Sequence, residues 1–140
     1  MEWFENRILT IVVVNWLTII YQLILFSEPH ASPRNLRLND TTSISILVEW
    51  DDVPPADQNG IILSYTVRYQ AIGGVSLDAP VYNKTVDSSL RRANLTDLIK
   101  NHNYNISVMA STVEGNGPYS DPIYVMTNQD SKWPAPLTRY

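Results

Sequence analysis

Hydrophobic and polar residues alternate along most of the chain after residue 33. Three long rows of alternate apolar residues begin at Ile44, Leu63 and Tyr104, and polar residues separate most of their members. This period of two predicts β-strands with one buried face. The predicted strands are 36–38, 44–50, 63–69, 81–86, 93–95, 104–110 and 123–126. Seven short strands predict an all-β fold, an antiparallel β-sandwich in which two sheets share one core.

Turn-forming residues separate these strands. Pro54 and Pro55 follow the second strand, and two successive prolines cannot continue a hydrogen-bonded ladder. The pairs Asn59-Gly60 and Gly73-Gly74, and the segment 115–118, contain residues that accept a positive φ. The spacing of these turns supports the strand assignment.

The N-terminal segment has a different pattern. No charge occurs between Arg7 and Glu28, and fifteen of the nineteen residues 8–26 are apolar or aromatic. As a helix this stretch spans roughly 28 Å, close to the thickness of a bilayer's hydrocarbon core. The rest of the chain is too small to cover such a helix on all sides, which disfavours a buried core helix. Residues 8–26 are therefore predicted to enter a membrane.

These patterns divide the chain into four parts. Residues 1–27 are a signal peptide or a transmembrane signal anchor, two alternatives that the sequence leaves open because the apolar run is long while helix-breaking residues follow it. Residues 28–32 are predicted to be a linker and 33–128 a β-sandwich domain. Residues 129–140, which contain Pro134 and Pro136, are predicted to be a C-terminal linker or tail.

Composition excludes several kinds of site. The chain has no cysteine, so disulfides, zinc fingers and thiol catalysis are absent. A net charge of −4 disfavours nucleic acid as a partner. His102 lies in a turn without an orienting partner, and Asp51, Asp52 and Asp57 lack the spacing of a calcium loop. We therefore expect no catalytic residue, cofactor or metal, and no enzyme activity.

An ordered set of residues resembles the fibronectin type III family over about 33–128. The set comprises Trp50 with Pro54, Gly60-Ile61, Tyr65-Thr-Val67-Arg-Tyr69, Leu98 with Tyr104, and Gly115-Asn-Gly117-Pro-Tyr-Ser120. An immunoglobulin domain would have a cysteine at the position of Ile106. The resemblance implies a core pattern formed by Trp50, Tyr65, Val67, Tyr69, Leu98 and Tyr104.

Four Asn-x-Ser/Thr sequons are candidates for N-glycosylation. They begin at Asn39, Asn83, Asn94 and Asn105. Chance would supply about two in this composition, so their number alone is a modest signal. Asn94 and Asn105 occupy outward positions in their predicted strands, where a glycan leaves the core undisturbed. With the membrane segment, these sequons predict an extracellular or lumenal domain of a single-pass membrane or secreted protein.

The resemblance implies a protein-binding module for adhesion or receptor-type recognition. Its partners would be other cell-surface or extracellular proteins that contact exposed loops. The candidate contacts are Ile61, Ile62, Ile72, Val75 and Tyr119. The alternative is a passive spacer from a longer tandem array. An apolar surface patch would favour binding, whereas a polar, glycan-covered surface would favour the spacer.

Overall fold

Seven strands follow one helix. The computed structural model describes residues 2–25, 27–73 and 79–130. The helix α1 spans Glu2–Leu25, and a short 3₁₀ turn occupies Pro55–Asp57. The strands are β1 Arg34–Thr41, β2 Ile46–Asp51, β3 Ser64–Ile72, β4 Val81–Asp87, β5 Arg92–Leu95, β6 Asn103–Ser111 and β7 Ile123–Met126.

The strands form two antiparallel sheets. One sheet has the order β1-β2-β5 and the other has the order β4-β3-β6-β7. At the centre of the larger sheet, Tyr65 lies between Val86 on β4 and Ala110 on β6. The predicted all-β sandwich of seven strands with a preceding helix is confirmed.

The inward rows of both sheets meet in one core. Of the six residues in the family-like pattern, Tyr69 is partly buried and the other five are buried. The rings of Trp50 and Tyr65 lie 5.5 Å apart across the sheets. Burying a large apolar side chain stabilises a fold by about 1.5–3 kcal/mol. The buried core residues are Ile46, Val48, Trp50, Val53, Tyr65, Val67, Ala93, Leu95, Leu98, Tyr104, Ile106, Val108, Ala110 and Val125.

Two residues that alternation places in the core lie outside the strands, and this part of the prediction is wrong. Ile44 is in the turn before β2 and Leu63 precedes β3, and both side chains are exposed. The Thr42 hydroxyl accepts the backbone N–H groups of Ile44 and Ser45, so a side chain replaces the strand ladder there. The backbone of Leu63 is hydrogen-bonded to Ser111, the last residue of β6, and to Ser88, just after β4.

The predicted membrane segment forms most of α1. The apolar side chains described for this helix are all exposed and lie on every side of it: Leu9, Ile11, Val12, Val13, Val14, Trp16, Leu17, Ile19 and Ile20. In the described residues α1 has no extensive contact with any strand. No helix in the described part of the chain meets both requirements for crossing a membrane, a sufficient length and a sufficient apolarity.

Candidate functional site

The chain after α1 is bonded directly to two loops of the sandwich. The backbone N–H of Ser27 donates to the carbonyl of Asn59 at 3.0 Å, and the Ser27 carbonyl accepts from Oγ1 of Thr112 at 3.1 Å. The side-chain amide of Asn59 donates to the carbonyl of Glu28 at 3.2 Å. The segment 28–32, which the sequence suggests is a linker, is thus hydrogen-bonded to the sandwich at its first residue.

Close packing continues at the next residue. Pro29 is fully buried, and the backbone N–H of His30 donates to the Asp57 carbonyl at 2.8 Å. A Cβ atom on Gly117 would lie 2.8 Å from Cβ of Pro29, closer than such atoms approach. Glycine at position 117 therefore lets the N-terminal segment lie against the loop that follows β6.

These bonded loops form one end of the sandwich, which we call the loop pole (residues 27–30, 57–63 and 111–117). The backbone N–H of Leu63 donates to the Ser111 carbonyl at 2.8 Å, and this bond holds the two long loops side by side. Ile61 and Val113 extend from these loops with 78% and 79% of their surfaces exposed. No other large apolar side chain among the described residues is as exposed.

The predicted partner contacts do not form one patch. Ile61 is at the loop pole, but Ile62 packs partly against the core. Ile72 ends β3 at the opposite end of the sandwich, and the ring of Tyr119 lies under the guanidinium of Arg68, 3.9 Å away. Val75 lies outside the described residues. The sequence analysis did not identify Val113 as a contact residue, because it is a single apolar residue in a turn and belongs to no alternating row. That isolation from any row is the one feature of the sequence that could have indicated its exposure.

An ion pair lies at the start of the loop between β2 and β3, which leads into the loop pole. The hydroxyl of Tyr65 donates to Asp52 at 2.5 Å, and Arg91 forms an ion pair with the same carboxylate. The Arg91 guanidinium also lies 4.8 Å from the centre of the Tyr65 ring. Burial and the hydrogen bond to Asp52 raise the pKa of Tyr65, so this residue stays neutral. Because each group has a partner, the cluster holds the loop after β2 in place.

A groove lined by tyrosines lies between the sheets near the opposite end. It has a volume of about 390 Å³, and the rings of Tyr69 and Tyr82 stack along it with centroids 5.5 Å apart. Tyr104 lies beyond them, and its hydroxyl accepts the backbone N–H of Ile99 at 2.8 Å. Burial, followed by the neighbouring tyrosines, raises the pKa of Tyr69. These contacts indicate that the three tyrosines serve to pack this end of the sandwich.

The acidic residues named in the sequence are used in surface pairs. Asp51 accepts hydrogen bonds from Asn35 and Arg37, which lower its pKa. Asp52 faces Tyr65 and Arg91. Within residues 2–25, 27–73 and 79–130, no three acidic or histidine side chains gather as a metal ion would require.

The four sequons are shared equally between the outer faces of the sandwich. On the smaller sheet Asn39 donates to Glu49 at 2.5 Å, and Asn94 lies at an exposed position of β5. On the larger sheet Asn83 is opposite Arg68, and Asn105 is opposite both Gln70 and Tyr124. Each face therefore presents two acceptor asparagines at positions that point away from the core.

The chain is similar in sequence to segments of much longer proteins. It is 38% identical over 109 residues to mouse protein sidekick-2, which covers 77% of this chain and 5% of that protein. It is 35% identical to chicken receptor-type tyrosine-protein phosphatase S, covering 72% of the chain and 6% of the phosphatase. Human neogenin is 34% identical over 69% of the chain and 6% of its own length. The chain thus spans about a twentieth of these relatives.

Solved structures share the same architecture. The third fibronectin III domain of human KIAA0343 protein superimposes with a TM-score of 0.70 and 25% identity, covering 75% of this chain and 87% of that one. The FN5 domain of Drosophila Lar gives a TM-score of 0.57 and 27% identity over 71% and 97% of the two chains. The family model of the fibronectin type III domain matches residues 31–126. This chain belongs to the fibronectin type III family.

Proposed function

We propose that this chain is a non-enzymatic, extracellular protein-binding module whose contact surface is the loop pole. The observation that carries the proposal is the pair Ile61 and Val113, which are more than three-quarters exposed on adjacent bonded loops. Two apolar side chains held by a rigid scaffold can enter a partner's pocket with little loss of conformational entropy. Similarity to a receptor-type phosphatase supports a recognition role.

Export to the cell surface or medium is the second part of the proposal. The apolar, uncharged stretch of α1 would direct the chain into the secretory pathway, where it is either cleaved or kept as an anchor. The sequons support this route because all four face away from the core. Glycans at these positions would not obstruct Ile61 and Val113, which extend from the loops.

Mass spectrometry of the chain expressed in a secretory eukaryotic cell tests export. We expect a glycosidase-sensitive species, in the medium if α1 is removed near Ser27 and in the membrane fraction if Met1 is retained. Membrane-bound material with Met1 intact and no sensitivity to N-glycosidase would contradict the extracellular location.

Binding is tested with multimers of the exported domain applied to a panel of cell-surface ectodomains. The double variant Ile61→Ser, Val113→Ser should lose at least tenfold in affinity for any ectodomain that the parent binds. The matched control is Ile44→Ser, which removes an exposed isoleucine from a different turn. If the parent binds no ectodomain, or if both variants bind as the parent does, the passive spacer is the better description.

A further inference from the structure

An exposed aromatic side chain lies on the outer face of β7. This strand is the edge of the larger sheet and has β6 on one side only. Ile123 and Val125 face the core, whereas Tyr124 and Met126 point outward. Tyr124 is 66% exposed, more than any other tyrosine of the described sandwich. Its ring therefore offers an uncovered apolar face.

The strand register brings a sequon to this ring. Asn105 on β6 is directly opposite Tyr124 on β7. Directly opposed residues of an antiparallel pair have Cβ atoms about 4.5–5.5 Å apart, and their side chains lie on the same face. Among the described residues, the Asn105 side chain has no hydrogen-bond partner. Its amide is therefore available to carry a sugar next to the ring.

The other three sequons have different surroundings. Asn39 already donates its amide to Glu49. Asn83 is opposite Arg68, and Asn94 is opposite Leu47. Asn105 is thus the one sequon asparagine in the described residues with an exposed aromatic side chain directly opposite. This difference provides a matched control, because Asn83 lies on the same sheet.

We propose that the first N-acetylglucosamine of a glycan on Asn105 packs against the face of Tyr124 and stabilises the β6–β7 pair. One face of this sugar is lined by C–H groups, which carry partial positive charge and are attracted to the electron-rich face of an aromatic ring. The inference rests on the proposed export to a glycosylating compartment.

A double-mutant cycle on the secreted, glycosylated chain tests the contact. Asn105→Gln removes the glycan, and Tyr124→Thr removes the ring while retaining a residue suited to strands. We expect Asn105→Gln to lower the thermal midpoint by roughly 2–4 °C in the parent, and by less than about 1 °C in the Tyr124→Thr background. The control Asn83→Gln should have the same effect in both backgrounds.

A second comparison needs no substitution in the central strand. Trimming the glycans to a single N-acetylglucosamine should leave the thermal midpoint unchanged, and complete removal by N-glycosidase should lower it. The Tyr124→Thr variant should lose less than the parent between the two treatments, because loss of the other three glycans and conversion of the sequon asparagines to aspartate affect both proteins alike. Equal losses in the parent and in Tyr124→Thr would overturn the contact.

Occupancy at each sequon separates this inference from the proposed function. If peptide mass spectrometry finds glycans on other sequons but none on Asn105, the contact with Tyr124 is refuted while extracellular export stands. If no sequon carries a glycan, the proposed export fails, and the contact fails with it.

Discussion

The helix α1 and the sandwich use apolar residues in opposite ways. In α1 the apolar side chains surround the helix, and every one that the structure describes is exposed. In the strands they occupy alternate positions, so one face of each sheet is buried in a shared core. Apolar content is high in both regions, but only the period of two directs those residues to one side. The periodicity of apolar residues, more than their number, therefore determines which region builds a core.

The largest test of this comparison removes the same side chain from each region. Leu95 on β5 is fully buried, whereas Leu17 in α1 is 60% exposed. Leu95→Ala should lower the free energy of unfolding by about 2–5 kcal/mol because it leaves a cavity. Leu17→Ala should change it by less than about 0.5 kcal/mol. Urea unfolding, monitored through hydrogen exchange at the β3 and β6 amides, measures both free energies. A comparable loss in both variants would mean that α1 packs on the sandwich.

A smaller effect is expected from one hydroxyl group at the edge of the sandwich core. Tyr104→Phe removes the hydroxyl that accepts the N–H of Ile99, and should lower the free energy of unfolding by about 1 kcal/mol. The control is Tyr82→Phe, which keeps the ring stacked on Tyr69 and loses a hydroxyl that has no hydrogen-bond partner among the described residues. Equal losses in the two variants would argue against a specific role for the Tyr104 hydrogen bond.

The smallest effect concerns pH. Burial opposes ionisation of Asp52, but its bonds to Arg91 and Tyr65 outweigh burial and lower the pKa of this carboxyl. A group whose pKa is lower in the folded state stabilises the fold above its unfolded pKa. That contribution is lost as the pH falls through the folded value. Stability should therefore decrease below about pH 4, by less than about 1 kcal/mol from this pair because the carboxylate is half exposed.

The same comparison provides the control for this pH effect. Hydrogen exchange at the β3 amides should accelerate as the pH is lowered from 5 to 3, after correction for the intrinsic rate, and Asp52→Asn should weaken that change. Amides in the uncharged stretch of α1 should show no such step, since no charge lies between Arg7 and Glu28. An unchanged profile in Asp52→Asn would assign the acid sensitivity to the exposed pairs of Asp51, Asp87 or Asp130.

Local patterns predicted most of the fold. Alternation located seven strands, because burial of one sheet face imposes a period of two on each strand. It was wrong at Ile44, where the hydroxyl of Thr42 binds the local backbone and the strand has not yet begun. Such competition between a side chain and the ladder depends on geometry that the apolar pattern does not contain.

The candidate site was less predictable. Ile61 was identified because it follows a turn glycine, but Val113 and the bonded segment at Ser27 were not. Ser27 is bonded to Asn59 and Thr112, and Pro29 lies against Gly117; these partners are far away in sequence. Contacts between distant residues leave no periodic signal in a single sequence, so these could be found only from the structure.

The bonds at Ser27 also set a time limit on any processing of the chain. A protease must draw several residues into an extended form, and in the folded domain Ser27, Glu28 and Pro29 are bonded or buried. Thr112 follows Ser27 by 85 residues, so at about 5–20 residues per second the ribosome needs roughly 4–17 s to supply this partner. A peptidase acting near Ser27 therefore has at least that interval in which to cut. Once the loops have closed around the segment, we expect cleavage near Ser27 to become slow.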